Sequence, residues 1–254
     1  MAKTAYSKDF FNTIREGSRR SAHAVVPVVL DFIRPKSVVD VGCGDGTWLS
    51  VFREFGVNDT FGVDGDYVSR EALRIPREQF MPIDLSSRFD LGRKFDLAVS
   101  LEVAEHLPAA SAADFIDSLV KLAPVVVFSA AIPHQGGTHH VNEQWPDYWV
   151  DHFRRHDYVP IDCIRGRLWH DDSVEWWYVQ NSFVFVSPSA LAENEKLQNA
   201  FHATNPEQLN IVHPRFYLAF AQEHYRVRTA LATLLRALKD SVGRRLKRRP
   251  GNLP

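Results

Sequence analysis

Residues Val38–Trp48 read VVDVGCGDGTW, an apolar run that ends in an acid and passes straight into three glycines two apart. Ser37–Val41 predicts a short buried strand, with Asp40 near its end and Gly42, Gly44 and Gly46 in the turn that follows. In an open α/β sheet, ligands bind at the carboxyl edge of the strands. Glycine at such a turn lets the backbone bend sharply, and lets a ligand approach the main chain where a Cβ would collide.

The spacing separates the nucleotide-type readings. A dinucleotide fingerprint is Gly-x-Gly-x-x-Gly, with the pyrophosphate on a helix N-terminus. Here the third glycine arrives one residue early, at Gly46, and Thr47 holds the dinucleotide position. A Walker loop ends in Gly-Lys-Ser/Thr, which is absent. Thr60–Val63 predicts a second strand ending in Asp64, with Gly65 and Asp66 behind it. A carboxylate there can accept hydrogen bonds from both ribose hydroxyls. Phe80–Ile83 predicts a third strand ending in Asp84-Leu85. Phe95–Ser100 (FDLAVS) predicts a fourth, leading to Leu101, Glu102 and Glu105-His106-Leu107-Pro108. A lone acid of this kind is ordinarily a cap or turn residue, but four sites recurring in order at strand ends form a pattern.

Asp40-x-Gly42-x-Gly44-x-Gly46 resembles motif I of the class I S-adenosylmethionine (SAM)-dependent methyltransferases, and FDLAVS with its loop resembles their motif IV. The resemblance covers roughly residues 37–186. It implies a Rossmann-like, seven-stranded, mostly parallel sheet with an antiparallel edge strand and helices on both faces. It further implies SAM as cofactor, with Asp40, Gly42, Gly44 and Gly46 around the aminocarboxypropyl tail and Asp64 and Gly65 at the ribose. Asp84 and Leu85 would flank the adenine, and Leu101 and Glu102 would close the methyl side.

The 254 residues suffice for one α/β domain with an appendage, and 45% hydrophobic residues with 12% aromatics exclude global disorder. Cys43 and Cys163 make neither a disulfide framework nor a zinc pattern and suit a reducing compartment. Lys3, Lys8, Asp9 and Arg15 interrupt the N-terminus, so no signal-peptide pattern arises, and no apolar stretch reaches membrane-span length. A soluble cytoplasmic protein is expected. The net charge of −1 is uneven: from His224 onward nine basic residues face one acid, Asp240, leaving Met1–Glu223 at −9. Such a body argues against nucleic-acid binding.

Residues 1–36 predict a helical cover, punctuated by Pro27 and Pro35 and with apolar positions Phe10, Phe11, Ile14 and Val25–Ile33. Residues 37–188 predict the methyltransferase domain, alternating strand and helix, with Pro124–Ser129 as the fifth strand and late β segments at Tyr158–Arg165 and Trp177–Val186. Residues 189–254 predict a helical, basic extension. There Val227, Leu231, Leu234, Leu238 and Val242 share one helical face opposite Arg226, Arg228, Arg236, Lys239 and residues 244–249. That face suits packing on its own domain, homo-oligomerisation, or peripheral contact with the inner membrane.

Ile132–Trp149 reads IPHQGGTHHVNEQWPDYW within an aperiodic stretch, Ala130–Trp149, and should overhang the methyl group after strand five. With Arg167–Asn181 it resembles methyltransferase-domain proteins of bacterial surface-glycan and secondary-metabolite clusters. A hydroxyl acceptor benefits from a general base, and histidine titrates in the useful range. His140 is the expected base and Glu143 its orienting partner, with His139 and His106 in reserve. His134, His139, His140, Glu102, Glu105 and Glu143 are the groups that would gather a metal, but no compact ligand spacing supports one and none is assigned. Trp145, Trp149, Trp169, Trp176 and Trp177 suit either sugar stacking or core packing. The expected activity is therefore SAM-dependent O-methylation of a saccharide or glycan intermediate. The rivals are a small-molecule or lipid acceptor, a non-catalytic SAM-binding scaffold, and an NAD-type oxidoreductase, whose glycine pattern is missing.

Overall fold

The structure is a computed structural model that describes residues 8–224 and 230–239, with side chains for residues 16–222 and 230–239. The chain divides after His213 into two units. In the first, seven strands form one sheet in the order β3-β2-β1-β4-β5-β7-β6. These are β1 (Ser37–Val41), β2 (Asp59–Asp64), β3 (Phe80–Pro82), β4 (Leu97–Leu101), β5 (Val125–Ser129), β6 (Val159–Ile161) and β7 (Phe183–Val186). Strands β1 to β5 are mutually parallel, and β7 enters antiparallel between β5 and the outermost strand β6. The antiparallel component therefore sits at the expected side of the sheet.

Strand alternation feeds two cores. Val38, Leu97, Val99, Val125, Val127, Val184 and Val186 face the layer of α1 (Lys8–Phe32) and α2 (Thr47–Glu54). Val39, Val41, Ala98, Val126, Phe128, Phe183 and Phe185 face α3 (Ala112–Leu122) and α4 (Pro146–Arg154). Burial on both faces explains why these strands read as unbroken apolar runs.

Three expectations need correction. Pro27 does not punctuate α1, which continues to Phe32. Val25, Val26 and Val29 are buried while Pro27 faces outward, so the packing of the apolar face outweighs the missing donor. Pro146–Arg154 is helical rather than aperiodic, with Pro146 in the first turn, where a missing N–H costs nothing. The late β segments shrink to β6 and β7. Arg165–Leu168 forms a short helix, α5, and Trp176–Asn181 forms another, α6. After β7 come α7 (Pro188–Ala192) and α8 (Glu195–Ala203).

The second unit, taken by itself, holds α9 (Pro214–His224) and a helix at residues 230–239. Leu231, Leu234, Leu235 and Leu238 are each more than half exposed. The expectations for Val227, Val242, Arg226, Arg228 and residues 244–249, and for Lys3, lie outside the described residues. No helix among the described residues is long and apolar enough to cross a membrane.

Candidate active site

The carboxyl ends of β1 and β2 are level, with Val41 paired to Val63, so the glycine turn and Asp64 emerge together. The Gly42 and Cys43 amides donate to the Val63 carbonyl, which clamps the turn onto β2. Gly42, Gly44 and Gly46 all have positive φ. A Cβ at Gly42 would lie 2.3 Å from Cγ2 of Val103, whereas one at Gly44 would meet nothing within 4 Å. Gly44 thus presents bare backbone to the cleft.

That cleft has a volume of about 920 Å³ and is bordered by Gly42, Gly44, Asp64, Gly65, Asp84, Leu85 and Glu102 of the expected residues. Tyr67, Ile83, Val103, His106 and His139 complete much of its wall. Leu101 borders an adjoining cavity of about 240 Å³ with Ser18, Cys43, Thr47, Trp48 and Tyr178. Ser18 comes from α1 and pairs its hydroxyl with Tyr178 at 3.1 Å, so the leading helix does reach the glycine turn. Asp40 and Gly46 border neither cavity. Asp40 lies buried beneath the turn, and Gly46 caps α2.

The acids divide by environment. Asp64 is buried; its Oδ2 accepts the Gly44 amide at 2.7 Å and its Oδ1 the Gly65 amide at 2.7 Å and the Tyr67 hydroxyl. Burial, then the nearby charges of Asp64 and Asp45, push the Asp40 carboxyl well above the usual carboxylate range. Its Oδ2 is buried with no partner. Asp84 is exposed, and its carboxylate caps a turn through Ser86, whose hydroxyl and amide hold its pKa down.

Glu102 directly follows β4 with φ +56, a left-handed conformation uncommon outside glycine. It swings the carboxylate into Gln135, whose Nε2 donates at 2.8 Å, and Asn181, whose Nδ2 donates at 3.1 Å. Burial raises its pKa against the opposing pull of these donors and Ser129. Sequence reasoning missed Gln135 and Asn181. Only the tertiary fold unites a loop residue with the end of α6, and that helix carries the aromatic and β-branched composition of a strand.

His140 and Glu143 do pair, Nδ1 to Oε1 at 3.0 Å. Glu143 also accepts the His134 and Gly136 amides, each at 2.8 Å, and so ties down the loop. Neither residue borders the cleft. The His140 ring stands edge-on to that of His106, centroids 4.8 Å apart, and His106 is on the wall. Desolvation, then His140, holds His106 below the ordinary histidine range. Trp149 is core, buried and packed on Phe128, while Trp145 is 38% exposed.

The acids on this wall are Asp64, Asp66, Asp84 and Glu102, and no Lys or Arg is among its lining residues. Such a lining opposes a pyrophosphate and favours a ligand bearing ammonium and sulfonium charges. The model of a methyltransferase domain family matches residues 14–187. The chain belongs to this methyltransferase family. SAM is the methyl donor of class I methyltransferases, and the residues present fit it. Gly44 offers open backbone, Asp64 a buried pair of acceptor oxygens and Asp40 an orphaned polar atom beneath the turn.

Among solved structures, the sugar N-methyltransferase KedS8 from a Streptoalloteichus species aligns over 74% of this chain and 97% of its own, at 18% identity and TM-score 0.55. Streptomyces venezuelae DesVI aligns at 23% identity and TM-score 0.43, over 53% of this chain and 61% of its own, so the methyltransferase chain here spans under two thirds of it. Synechocystis magnesium protoporphyrin IX methyltransferase with bound S-adenosylhomocysteine aligns at 19% identity and TM-score 0.48, over 73% of this chain and 90% of its own. At these identities the likeness is one of fold. No curated protein sequence matches the chain.

Proposed function

We propose that this methyltransferase transfers the methyl group of SAM to a hydroxyl of a saccharide or glycan intermediate. The pairing of His140 with Glu143 beside the cleft wall carries the proposal. SAM supplies an electrophilic methyl on a sulfonium, and the chain's own residues must do the rest. The glycine turn, Asp64 and the Asp84–Leu85 corner hold the donor, which fixes the direction of approach. Glu102, held by Gln135 and Asn181, fixes the floor of the methyl side. An acceptor hydroxyl is a weak nucleophile, so removing its proton during transfer is worth about 10²–10⁴-fold. Glu143 holds Nδ1 of His140 and sets the tautomer, leaving the imidazole able to take that proton. His139 of the 130–145 loop lines the cleft, from where that loop would help exclude water from the reacting atoms.

The experiment is incubation of the protein with SAM and candidate acceptors, read by mass spectrometry for the gain of one methylene and by S-adenosylhomocysteine release. Neutral and amino sugars are compared. Methylation of neutral sugars sustains the reading. Methylation confined to amino sugars moves it to nitrogen, and S-adenosylhomocysteine release only with non-sugar acceptors removes the saccharide.

A further inference from the structure

Directly behind the cleft wall, a cluster of three side chains is not explained by donor binding. One oxygen of Glu105 and one nitrogen each of His106 and His140 lie within 4.8 Å of one another. Glu105 is fully buried, and its carboxylate oxygens make no well-formed hydrogen bond, meeting only the nearby backbone amides of Glu105 and Ala131. A buried ionised carboxylate left this way costs several kcal/mol by desolvation unless a cation or proton meets it. Glu102 and Glu143 add negative charge around it.

The local fold builds the cluster firmly. Glu105 and His106 share one turn of 3₁₀ helix after β4. The carbonyl of Glu105 accepts the Val141 amide at 2.9 Å and the Asn142 amide at 3.0 Å, which pins His140's segment against that turn. Glu143 holds Nδ1 of His140, the arrangement in which an imidazole ligand is commonly oriented by a carboxylate behind it. Glu105 and His140 are among the groups the sequence offers for a metal, but His106 is not, and the more than thirty residues between Glu105-His106 and His140 give no ligand spacing of a recognised kind.

We infer that Glu105, His106 and His140 form a binding site for a divalent first-row transition cation at the edge of the donor cleft. Two imidazoles with one carboxylate suit Mn²⁺, Fe²⁺, Co²⁺ or Zn²⁺ better than Mg²⁺ or Ca²⁺, which prefer all-oxygen shells. Ligands about 2.1 Å from an ion lie about 3–4 Å apart, so the three side chains need to close only slightly. Three protein ligands leave coordination positions open, and His106 faces the cleft where an acceptor oxygen would come. This deepens the methyltransferase reading: with the cation in place His140 would be a ligand in place of the base, and the cation would lower the pKa of an acceptor hydroxyl so that its proton passes to solvent water as the oxygen attacks the methyl.

The test is cation binding by the full chain without donor or acceptor. Chelator-treated protein is titrated with Co²⁺, read by visible absorption, and with Mn²⁺, read by calorimetry. One equivalent should bind, with Co²⁺ bands of a nitrogen and oxygen shell. His106→Ala, at an exposed position, and His140→Ala should each weaken binding at least about tenfold. His170→Ala, which removes an exposed histidine outside the cluster, should leave it unchanged. Binding that is equally weak in the wild type and in the His106→Ala/His140→Ala double variant overturns the site. SAM binding, measured separately on the same preparations, shows whether the donor cleft stands when the cation site fails.

Discussion

Tyr67 donates its phenolic proton to Oδ1 of Asp64, the carboxylate whose other oxygen receives the Gly44 amide. The acceptor atom expected to meet a ribose hydroxyl therefore already has a side-chain donor from three residues away. Tyr67 is otherwise 81% exposed, so little besides this hydrogen bond holds it.

A ribose must displace that phenol, and the displacement draws on binding energy. Tyr67→Phe should therefore tighten SAM binding by a few-fold, about 1 kcal/mol for one exchanged hydrogen bond. Calorimetry checks it. Weaker binding in the variant would instead make the phenol a contact to the bound donor.

Asp64 itself has more to lose. Asp64→Asn keeps the shape but exchanges one acceptor oxygen for a donor facing the Gly44 or Gly65 amide. SAM affinity should fall by about 10- to 100-fold, from mismatched buried hydrogen bonds. Unchanged affinity would remove Asp64 from the site.

Gly42 and Gly44 should separate by readout. Gly42→Ala drives a Cβ into Val103 at 2.3 Å and holds φ at +85, a combination worth about 2–4 kcal/mol of stability. Gly44→Ala meets no protein atom and costs about 1 kcal/mol from its φ, but puts its methyl into the cleft. Denaturant unfolding should single out the first variant, and donor titration the second.

The fold was largely legible because β1, β4 and β5 are buried on both faces and so write themselves as SVVDV, LAVSL and VVVFS. Asp64 and Glu102 were legible as strand-end acids. What the sequence concealed lies in the connections. WWYVQN looks like a strand, yet it folds as α6 because tertiary packing buries Tyr178 and Val179 while Gln180 accepts the His213 amide at 2.8 Å. Tyr67 carries no motif, since its role is one contact across a turn. The pairing of His140 with Glu143 was readable from their spacing, but the proximity of Glu105 and His106 to that pair depends on the course of the loop.

Both cysteines should resist modification. Burial, then Asp162, pushes Cys163 up to about 12, and burial pushes Cys43 higher still, with Asp40 and Asp64 adding to it. The thiolate is the reactive form, so near pH 8 only about one Cys163 in 10⁴ is ready to react. Ellman's reagent should label neither thiol of the folded protein, and both once it is unfolded in guanidinium.

Arg165 is fully buried, donating to the carbonyls of Leu209 and Gln208, each at 2.8 Å, and to Asp162 at 2.6 Å, with its guanidinium over Phe183. Removing this buried guanidinium strands two carbonyls and leaves the half-buried Asp162 carboxylate without its partner. Arg165→Ala should cost about 3–5 kcal/mol in urea unfolding.

Strand β6 takes its sheet partner from β7, which lies more than twenty residues further along the chain. On a ribosome, Val159–Ile161 emerges with no ladder to join and must wait for Phe183–Val186 to clear the exit tunnel. A nascent chain halted before Phe183 would end its sheet at β5 with an open, largely apolar rim, the natural moment for a chaperone to hold it.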